Sequence, residues 1–127
     1  MATVELTKEN FEKVITESTM VIVDFWAPWC GPCRGFAPIY DKAAEAHQDV
    51  VFGKVNTDAE QELAGAFNIR SIPTLMVFRE KVVLFQQAGA LPASALEQVI
   101  SQTKSLDMAK VHQEIAARDA QGEQKQA

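Results

Sequence analysis

Residues 20–33 read MVIVDFWAPWCGPC, and they contain the longest apolar run of the chain and both of its cysteines. The first half is apolar at nearly every position and rich in β-branched and aromatic residues, which is typical of a central strand covered on both faces. The second half carries two prolines and a glycine, residues that favour a turn. The segment therefore predicts a buried strand over residues 20–26 that turns into a helix beginning at Cys33.

Strands and helices alternate on either side of this segment. Hydrophobic periodicity predicts further strands around residues 4–6 and over 50–56, 74–78 and 82–87. It predicts helices through residues 10–15 and over 33–47, 59–67 and 92–102, and Pro38 should kink the second of these helices. The order βαβαβαββα predicts an α/β fold, in which a central five-stranded mixed sheet with a mainly parallel centre is flanked by helices.

The chain length of 127 residues fits one compact domain, which we place at residues 1–102. Residues 103–127 are surplus to this domain and form a C-terminal extension. Met108, Val111 and Ile115 have spacings of i, i+3 and i+7 on one helical face, so the pattern predicts an extra helix over 107–120. Residues 121–127 have no apolar side chain beyond alanine, and we expect them to be disordered.

Composition excludes several classes of function. The formal net charge is −5, so the chain offers no basic surface for a nucleic acid. No apolar run approaches the roughly 20 residues that span a bilayer. A secretory signal would have a basic segment followed by an apolar one, and the first residues show no such pattern. With 47% hydrophobic and 23% charged residues, we expect a soluble cytoplasmic protein, unless an export signal has been removed.

Cys30 and Cys33 lie three positions apart, and a crosslink over so short a loop removes little entropy from the unfolded chain. Cys30 at a helix N-terminus faces unpaired backbone N–H groups and the positive end of the helix dipole, which favour a thiolate. Because the thiolate is the nucleophile in disulfide exchange, we expect Cys30 to attack and the more buried Cys33 to resolve the mixed disulfide. Structural zinc is the alternative, but two ligands are too few and no second pair follows.

Asp24 is unusual for its position, since it is a carboxylate in the middle of an apolar strand. When ionised and unpaired, such a group costs on the order of several kcal/mol, so its pKa should rise. Carboxylates that are perturbed in this way beside a nucleophile are commonly catalytic. The alternative is a structural aspartate that accepts hydrogen bonds from backbone N–H groups at a strand edge.

The sequence WCGPC at residues 29–33, preceded by VDFWA at 23–27, resembles the active-site stretch of the thioredoxin family. Four further features occur in the same order as in that family. They are a proline in the helix after the cysteines (Pro38), a lysine in the next strand (Lys54), an isoleucine–proline–threonine loop (Ile72-Pro73-Thr74) and a glycine near the site (Gly89). The resemblance extends from about Val4 to Gln102. A bare Cys-x-x-Cys motif is weak evidence, whereas these elements in this order are strong evidence.

The resemblance implies a thioredoxin fold and a protein-disulfide reductase. It implies that Asp24 exchanges a proton with Cys33 during resolution and that Lys54 tunes the carboxyl group. It also implies a cis peptide bond between Ile72 and Pro73, packed against the cysteine pair. The implied docking surface for substrate proteins is shallow and mostly apolar and comprises Trp29, Gly31, Pro32, Ile72, Pro73, Ala88 and Gly89.

The resemblance further implies that no cofactor is needed beyond the redox-active pair Cys30–Cys33. Electrons are expected from an external thioredoxin reductase and pass to disulfide-containing proteins, which is a role in electron transport and cell redox homeostasis. We expect a monomer, with a dimer through the C-terminal helix as the alternative. A second hypothesis for the function is a thioredoxin-fold binding or scaffold subunit that acts through its docking surface or its C-terminal helix.

Three positions depart from the family's usual pattern. The hairpin turn Arg79-Glu80-Lys81 lacks the usual glycine, Ser71 replaces a residue that is often glycine, and Thr57 replaces a larger apolar residue. We expect the changes at Ser71 and Thr57 to narrow the choice of partner protein.

Overall fold

The computed structural model describes residues 2–126. The strands are β1 (Thr3–Glu5), β2 (Met20–Trp26), β3 (Val51–Asn56), β4 (Thr74–Arg79) and β5 (Val82–Ala88). The helices are α1 (Phe11–Glu17), α2 (Gly31–Ala46), α3 (Gln61–Ala66), α4 (Ala93–Ser105) and α5 (Met108–Gln126). The sheet has the strand order β1-β3-β2-β4-β5; the β1–β3 and β3–β2 pairs are parallel, and the β2–β4 and β4–β5 pairs are antiparallel. The predicted mixed five-stranded sheet is confirmed.

Strand β2 lies at the centre of the sheet and is covered by helices on both faces. Ile22 packs in a core with side chains of α2 and α4, whereas Val21 and Val23 pack in a second core with side chains of α1 and α3. Successive residues of a strand point to opposite faces. A strand that serves two cores is therefore apolar at consecutive positions, as the sequence of β2 is.

Helix α2 begins two residues earlier than predicted, at Gly31 rather than at Cys33. Pro32 lies in its first turn, where a proline lacks only an N–H that would be unpaired anyway and has a φ that suits the helix. Cys30 is therefore the N-cap residue, and Cys33 lies in the first turn. Pro38 lies inside the helix, as expected.

The β4–β5 hairpin turns at Glu80 and Lys81, which have positive φ values of 51° and 70°. Such values are uncommon for residues other than glycine, because Cβ then crowds the backbone. The Glu80 N–H donates a hydrogen bond of 2.8 Å to the carbonyl oxygen of Thr19, the residue before β2. This tertiary contact helps to hold the glycine-free turn in place.

Arg79, beside the turn, closes the C-terminal end of α4. Its Nη1 group donates to the carbonyl oxygens of Thr103, Lys104 and Leu106 at 2.9, 3.2 and 2.9 Å. The last carbonyl groups of a helix have no partner within the helix and form the negative end of its dipole, so a guanidinium group is stabilising there. The hairpin thereby fixes the point at which the extension leaves the domain.

Helix α5 is anchored near its N-terminal end. Met108 is only 6% exposed, and Val111 and Ile115 are half-buried. His112 Nε2 lies 3.0 Å from Glu80 Oε1, which ties the helix to the hairpin turn. The predicted apolar face of the extra helix is thus the covered face. No helix within residues 2–126 has both the length and the apolar character required to cross a membrane.

The extension is more regular than predicted. Helix α4 continues to Ser105, past the predicted domain boundary at residue 102, and α5 continues to Gln126 rather than ending at residue 120. Residues 121–126 are therefore helical where disorder was predicted, and residue 127 lies outside the described residues. Glutamine, glutamate and lysine are good helix formers, so the absence of apolar side chains does not by itself end a helix.

We expect Arg79→Met to lower the free energy of unfolding by about 1–3 kcal/mol, because three carbonyl groups lose a charged donor. Urea unfolding followed by circular dichroism measures this change. Lys81→Met is the matched control, since it also removes a cation from the turn, but Lys81 makes no ion pair or side-chain hydrogen bond within the described residues. Equal effects of the two substitutions would contradict the capping role of Arg79.

Candidate active site

Cys30 and Cys33 form a disulfide at the start of α2, and their Cα atoms are 5.3 Å apart. Cys30 has extended backbone angles as the N-cap residue, and its sulfur accepts a hydrogen bond of 3.2 Å from the Cys33 N–H. Both residues are buried in this oxidised state, with Cys30 4% and Cys33 2% exposed. The predicted position of Cys30 at a helix mouth is confirmed.

The surroundings of Cys30 favour a negatively charged sulfur once the disulfide opens. A backbone N–H already points at this sulfur, and it lies at the positive end of the helix dipole. Both features stabilise a thiolate over a thiol. The Ile72 carbonyl oxygen lies 3.8 Å from the same sulfur and approaches it from another part of the chain.

The loop that approaches the cysteines precedes β4 and contains the implied cis peptide bond between Ile72 and Pro73. The Ile72 side chain packs against Ala27, Cys30 and Cys33. The Pro73 carbonyl oxygen accepts a hydrogen bond of 2.8 Å from the Gly89 N–H, which joins the loop to the end of β5. Gly89 has a φ of 101°, a conformation that glycine adopts without the steric cost of a Cβ.

Trp29 is the largest exposed apolar side chain beside the cysteines, with 67% of its surface accessible. Its indole Nε1–H lies 3.0 and 3.2 Å from the two carboxylate oxygens of Asp58. The predicted docking residues Gly31, Pro32, Ala88 and Gly89 are also exposed, whereas Ile72 is half-buried and Pro73 is buried. Sequence reasoning missed Asp58, because an acidic residue after a strand carries no signal for a bond to a distant indole.

Asp24 lies on β2 and is 1% exposed. Neither carboxylate oxygen has a hydrogen-bond partner within the described residues, which overturns the alternative of an aspartate bonded to backbone N–H groups. Burial raises the pKa of Asp24 from 3.8 to about 7; the charge of Lys54 lowers this pKa and that of Asp41 raises it. The carboxyl group therefore titrates near neutral pH.

The register of the sheet places Asp24 between Lys54 of β3 and Leu75 of β4. Alternation along β2 puts Asp24 on the same face as Ile22, and that face is covered by α2, the helix that carries Cys33. The Lys54 ammonium lies 4.7 Å from the centre of the Trp26 ring and forms no ion pair with Asp24. Lys54 acts on the carboxyl group through its charge, and its side chain is half-buried.

Tyr40 of α2 is a further residue near Asp24 that sequence reasoning did not single out. It is fully buried, and its hydroxyl group lies 2.9 Å from the Ile22 and 2.7 Å from the Gly53 carbonyl oxygen. Burial and the charge of Asp24 raise the pKa of Tyr40 well above its ordinary value, so the phenol remains protonated. Tyr40 joins α2 to the two central strands.

The geometry defines a class of protein. Two cysteines that form a disulfide across the first turn of a helix are typical of a thiol–disulfide oxidoreductase. Comparison with known proteins agrees with this class: a family model described as thioredoxin matches residues 2–102. The chain therefore belongs to the thioredoxin family, whose members are thiol–disulfide oxidoreductases.

Individual relatives extend this result. The chain is 58% identical over 120 residues to a protein described as putative thioredoxin 2 from Streptomyces coelicolor, a match that covers 94% of this chain and 90% of the relative. It is 45% identical over 97 residues to a thioredoxin from Alicyclobacillus acidocaldarius, covering 76% of this chain and 92% of the relative. A solved structure of Plasmodium falciparum thioredoxin superposes with a TM-score of 0.72 at 36% identity, covering 77% of this chain and 96% of that one.

The coverage of these matches separates the domain from the extension. Matches that cover 76–77% of the chain are slightly shorter than the domain and need not include any of the extension. The Streptomyces match covers 94% of the chain and must include a large part of residues 103–127. The C-terminal extension is therefore shared with that relative.

We expect Asp24→Asn to stabilise the oxidised protein at pH 8. Because the folded pKa of about 7 lies above the ordinary value of 3.8, the folded state holds this proton longer than the unfolded state, and stability from this group falls as the pH rises between these values. The difference corresponds to on the order of 4 kcal/mol above pH 7 and to little below pH 4. Urea unfolding of both proteins at pH 8 and below pH 4 measures it.

Glu45→Gln is the matched control for this experiment, because Glu45 is an exposed carboxylate of the neighbouring helix α2 and, unlike Asp41, does not contribute to the pKa of Asp24. Its substitution should change stability little at either pH. If Asp24→Asn gained the same stability at both pH values, the gain would not come from the titration of the buried carboxyl group.

Proposed function

We propose that the protein reduces disulfide bonds of other proteins, with Cys30 as the attacking and Cys33 as the resolving residue. The observation that carries this assignment is the hydrogen bond from the Cys33 N–H to the Cys30 sulfur at the mouth of α2. A sulfur that receives a backbone N–H at a helix N-terminus is the better thiolate of the two. Cys33, in the first turn, lies behind it.

The reaction has two exchange steps. In the first, the Cys30 thiolate attacks one sulfur of the substrate disulfide, a mixed disulfide forms, and the other substrate sulfur leaves as a thiolate. In the second, the Cys33 thiol loses its proton and attacks the Cys30 sulfur, and the remaining substrate sulfur leaves and takes up a proton. The substrate gains two electrons, and the protein is left with the disulfide Cys30–Cys33.

Asp24 is proposed to take the proton of Cys33 in the second step. A base is most effective when its pKa lies near the working pH, and the pKa of Asp24 is about 7. Its position on the β2 face covered by α2 supports the assignment. Lys54 is proposed to tune this base, since its positive charge lowers the pKa of Asp24.

The docking surface is proposed to comprise the rim around the cysteines, namely Trp29, Gly31, Pro32, Ile72, Pro73, Ala88 and Gly89. The rim is low in charge, so it suits many unfolded or extended segments rather than one shape. Proline at position 73 has no N–H, and the backbone before it is available to pair with an extended substrate segment.

The electron donor is proposed to be a thioredoxin reductase, because the disulfide formed in each cycle must be reduced again. No cofactor is required in this scheme beyond the cysteine pair. We place the protein in the cytoplasm, where it would act in electron transport and redox homeostasis, and we propose that it acts as a monomer, with a dimer through α5 as the alternative.

Cys33→Ser tests the proposed roles of the two cysteines. The variant should lose insulin reduction coupled to thioredoxin reductase and NADPH, and it should accumulate mixed disulfides with protein substrates that dithiothreitol releases. Cys30→Ser, the matched control, should lose activity without trapping partners. Full turnover by Cys33→Ser, or equal trapping by both variants, would overturn the assignment.

A scaffold subunit is the second candidate, and the specific observation in its favour is the regular helix α5, part of which is shared with the Streptomyces relative. A scaffold would keep its partners in the double variant Cys30→Ser/Cys33→Ser, as measured by co-purification under reducing conditions. A reductase would lose them, because its capture of partners depends on the mixed disulfide.

Asp24→Asn tests the proposed base. Release of the first thiol from a dye-labelled peptide disulfide should be unchanged, whereas release of the second should slow by about tenfold or more at pH 7, since a positioned general base contributes at least this much. The pH profile of the second step should lose its inflection near pH 7. Lys54→Met is a second variant for this test. Removal of its positive charge should raise the pKa of Asp24 and so move the inflection to higher pH. Equal slowing of both steps would contradict the role.

A further inference from the structure

A shallow pocket of about 420 Å³, lined mainly by residues with polar side chains, opens between the loop before β4 and the end of β5. Its lining comes from two segments, residues 68–71 with Thr74 on one side and Gln86, Gln87 and Ala88 on the other. Ala88 also belongs to the proposed docking surface. The pocket therefore adjoins that docking surface and adds polar side chains beside it.

Arg70 supplies the only formal charge among the side chains that line this pocket. It is exposed and forms no ion pair within the described residues. Its Nε–H donates to the Asn68 side-chain oxygen at 3.3 Å, and that is its single side-chain hydrogen bond within the described chain. The two terminal nitrogens of the guanidinium group are therefore available to a ligand.

Asn68 is itself held in place by the end of α3. It has a positive φ of 56°, a conformation that asparagine tolerates better than most residues. Its N–H donates to the Gly65 carbonyl oxygen at 3.0 Å, and the next N–H, of Ile69, donates to Ala64 at the same distance. The carboxamide that orients Arg70 thus projects from a fixed helix end rather than from a free loop.

The pocket lies within reach of a segment that is bound at the cysteines. Arg70 is two residues from Ile72, so their Cα atoms are at most about 7 Å apart, and the Ile72 carbonyl oxygen lies 3.8 Å from the Cys30 sulfur. An extended peptide advances about 3.3 Å per residue. A side chain two or three residues from the reacting cysteine of a substrate is therefore long enough in reach to contact the pocket.

We propose that this pocket is a subsite for an acidic side chain, an aspartate or glutamate located two or three residues from the reacting cysteine of a substrate protein. The proposal rests on the disulfide-reductase function proposed above and specifies its substrates. A guanidinium group presents a planar pair of donors that matches a carboxylate. Gln86, which is paired with Met76 on the sheet face that α3 covers, adds an uncharged amide donor. One positive charge balances one carboxylate and disfavours a lysine at that position.

The test compares three peptides that are identical except at the positions two and three residues on either side of a single cysteine, where they carry glutamate, glutamine or lysine. Each cysteine is joined by a disulfide to a coloured thiol, and its release gives kcat/KM in the presence of thioredoxin reductase. The protein should prefer glutamate over glutamine about two- to fivefold, the range expected for an exposed ion pair, and should disfavour lysine. The preference should shrink in about 0.5 M salt.

Three variants separate a built subsite from a general electrostatic effect. Arg70→Gln should bring the glutamate-to-glutamine ratio to about one, and Arg70→Glu should reverse the order of the glutamate and lysine peptides. Arg34→Gln, which removes another exposed arginine near the cysteines, should leave the ratio unchanged. Asn68→Gly keeps the positive φ and the charge of Arg70 but removes the oxygen that orients it, so the ratio should fall part of the way.

Ratios measured within one variant do not depend on the fraction of folded protein. Equal kcat/KM for all three peptides with the unsubstituted protein would overturn the subsite and leave the reductase function standing. A loss of preference in Arg34→Gln as large as in Arg70→Gln, or a full preference in Asn68→Gly, would also overturn it. Failure to reduce any of the peptides would instead overturn the proposed function, and the subsite with it.

Discussion

Backbone pairing of β2 with β3 on one side and β4 on the other determines where the chemistry takes place. Because β2 and β4 are antiparallel, the end of β2 meets the start of β4, and Phe25 is paired with Thr74. Cys30 follows β2 and the cis-proline loop precedes β4, so the two meet at one edge of the sheet. The 3.8 Å approach of the Ile72 carbonyl oxygen to the Cys30 sulfur is a consequence of this register.

The same register decides which core receives the carboxyl group of Asp24. Asp24 shares a face with Ile22 and is covered by α2, whereas a slip by one residue would turn it toward α1 and α3. On the α2 face it lies under the helix that carries the cysteines and opposite Lys54. The buried strand β2 thus carries an ionisable group, and this group has no hydrogen-bond partner among the described residues. A purely structural strand would favour an apolar residue here, and the loss of stability is in line with the role in the reaction that we propose for Asp24.

Local sequence patterns predicted the fold because each element carries its own signal. Consecutive apolar residues identified β2, and the prolines and glycine identified the turn that follows; the start of α2 differed by two residues because Pro32 fits a first helical turn as well as a loop. Of the candidate site, the sequence motifs identified the cysteines, Asp24 and the cis-proline loop. The bonds of Trp29 to Asp58 and of Arg70 to Asn68 were not, since exposed polar side chains carry no periodicity that reveals their partners.

The glycine-free hairpin turn and the C-terminal extension are best understood as one feature. Arg79 donates to the last carbonyl groups of α4, and Glu80 contacts His112 of α5, so two consecutive residues at the turn hold the junction from which the extension begins. Glycine at position 80 would relieve the positive φ but would remove the carboxylate that His112 contacts. The extension thus supplies a contact to Glu80 in addition to the hydrogen bond that this residue makes with Thr19 within the domain. The departure from the family pattern at this turn therefore coincides with the place where α5 contacts the domain, in a chain whose extension is shared with a relative.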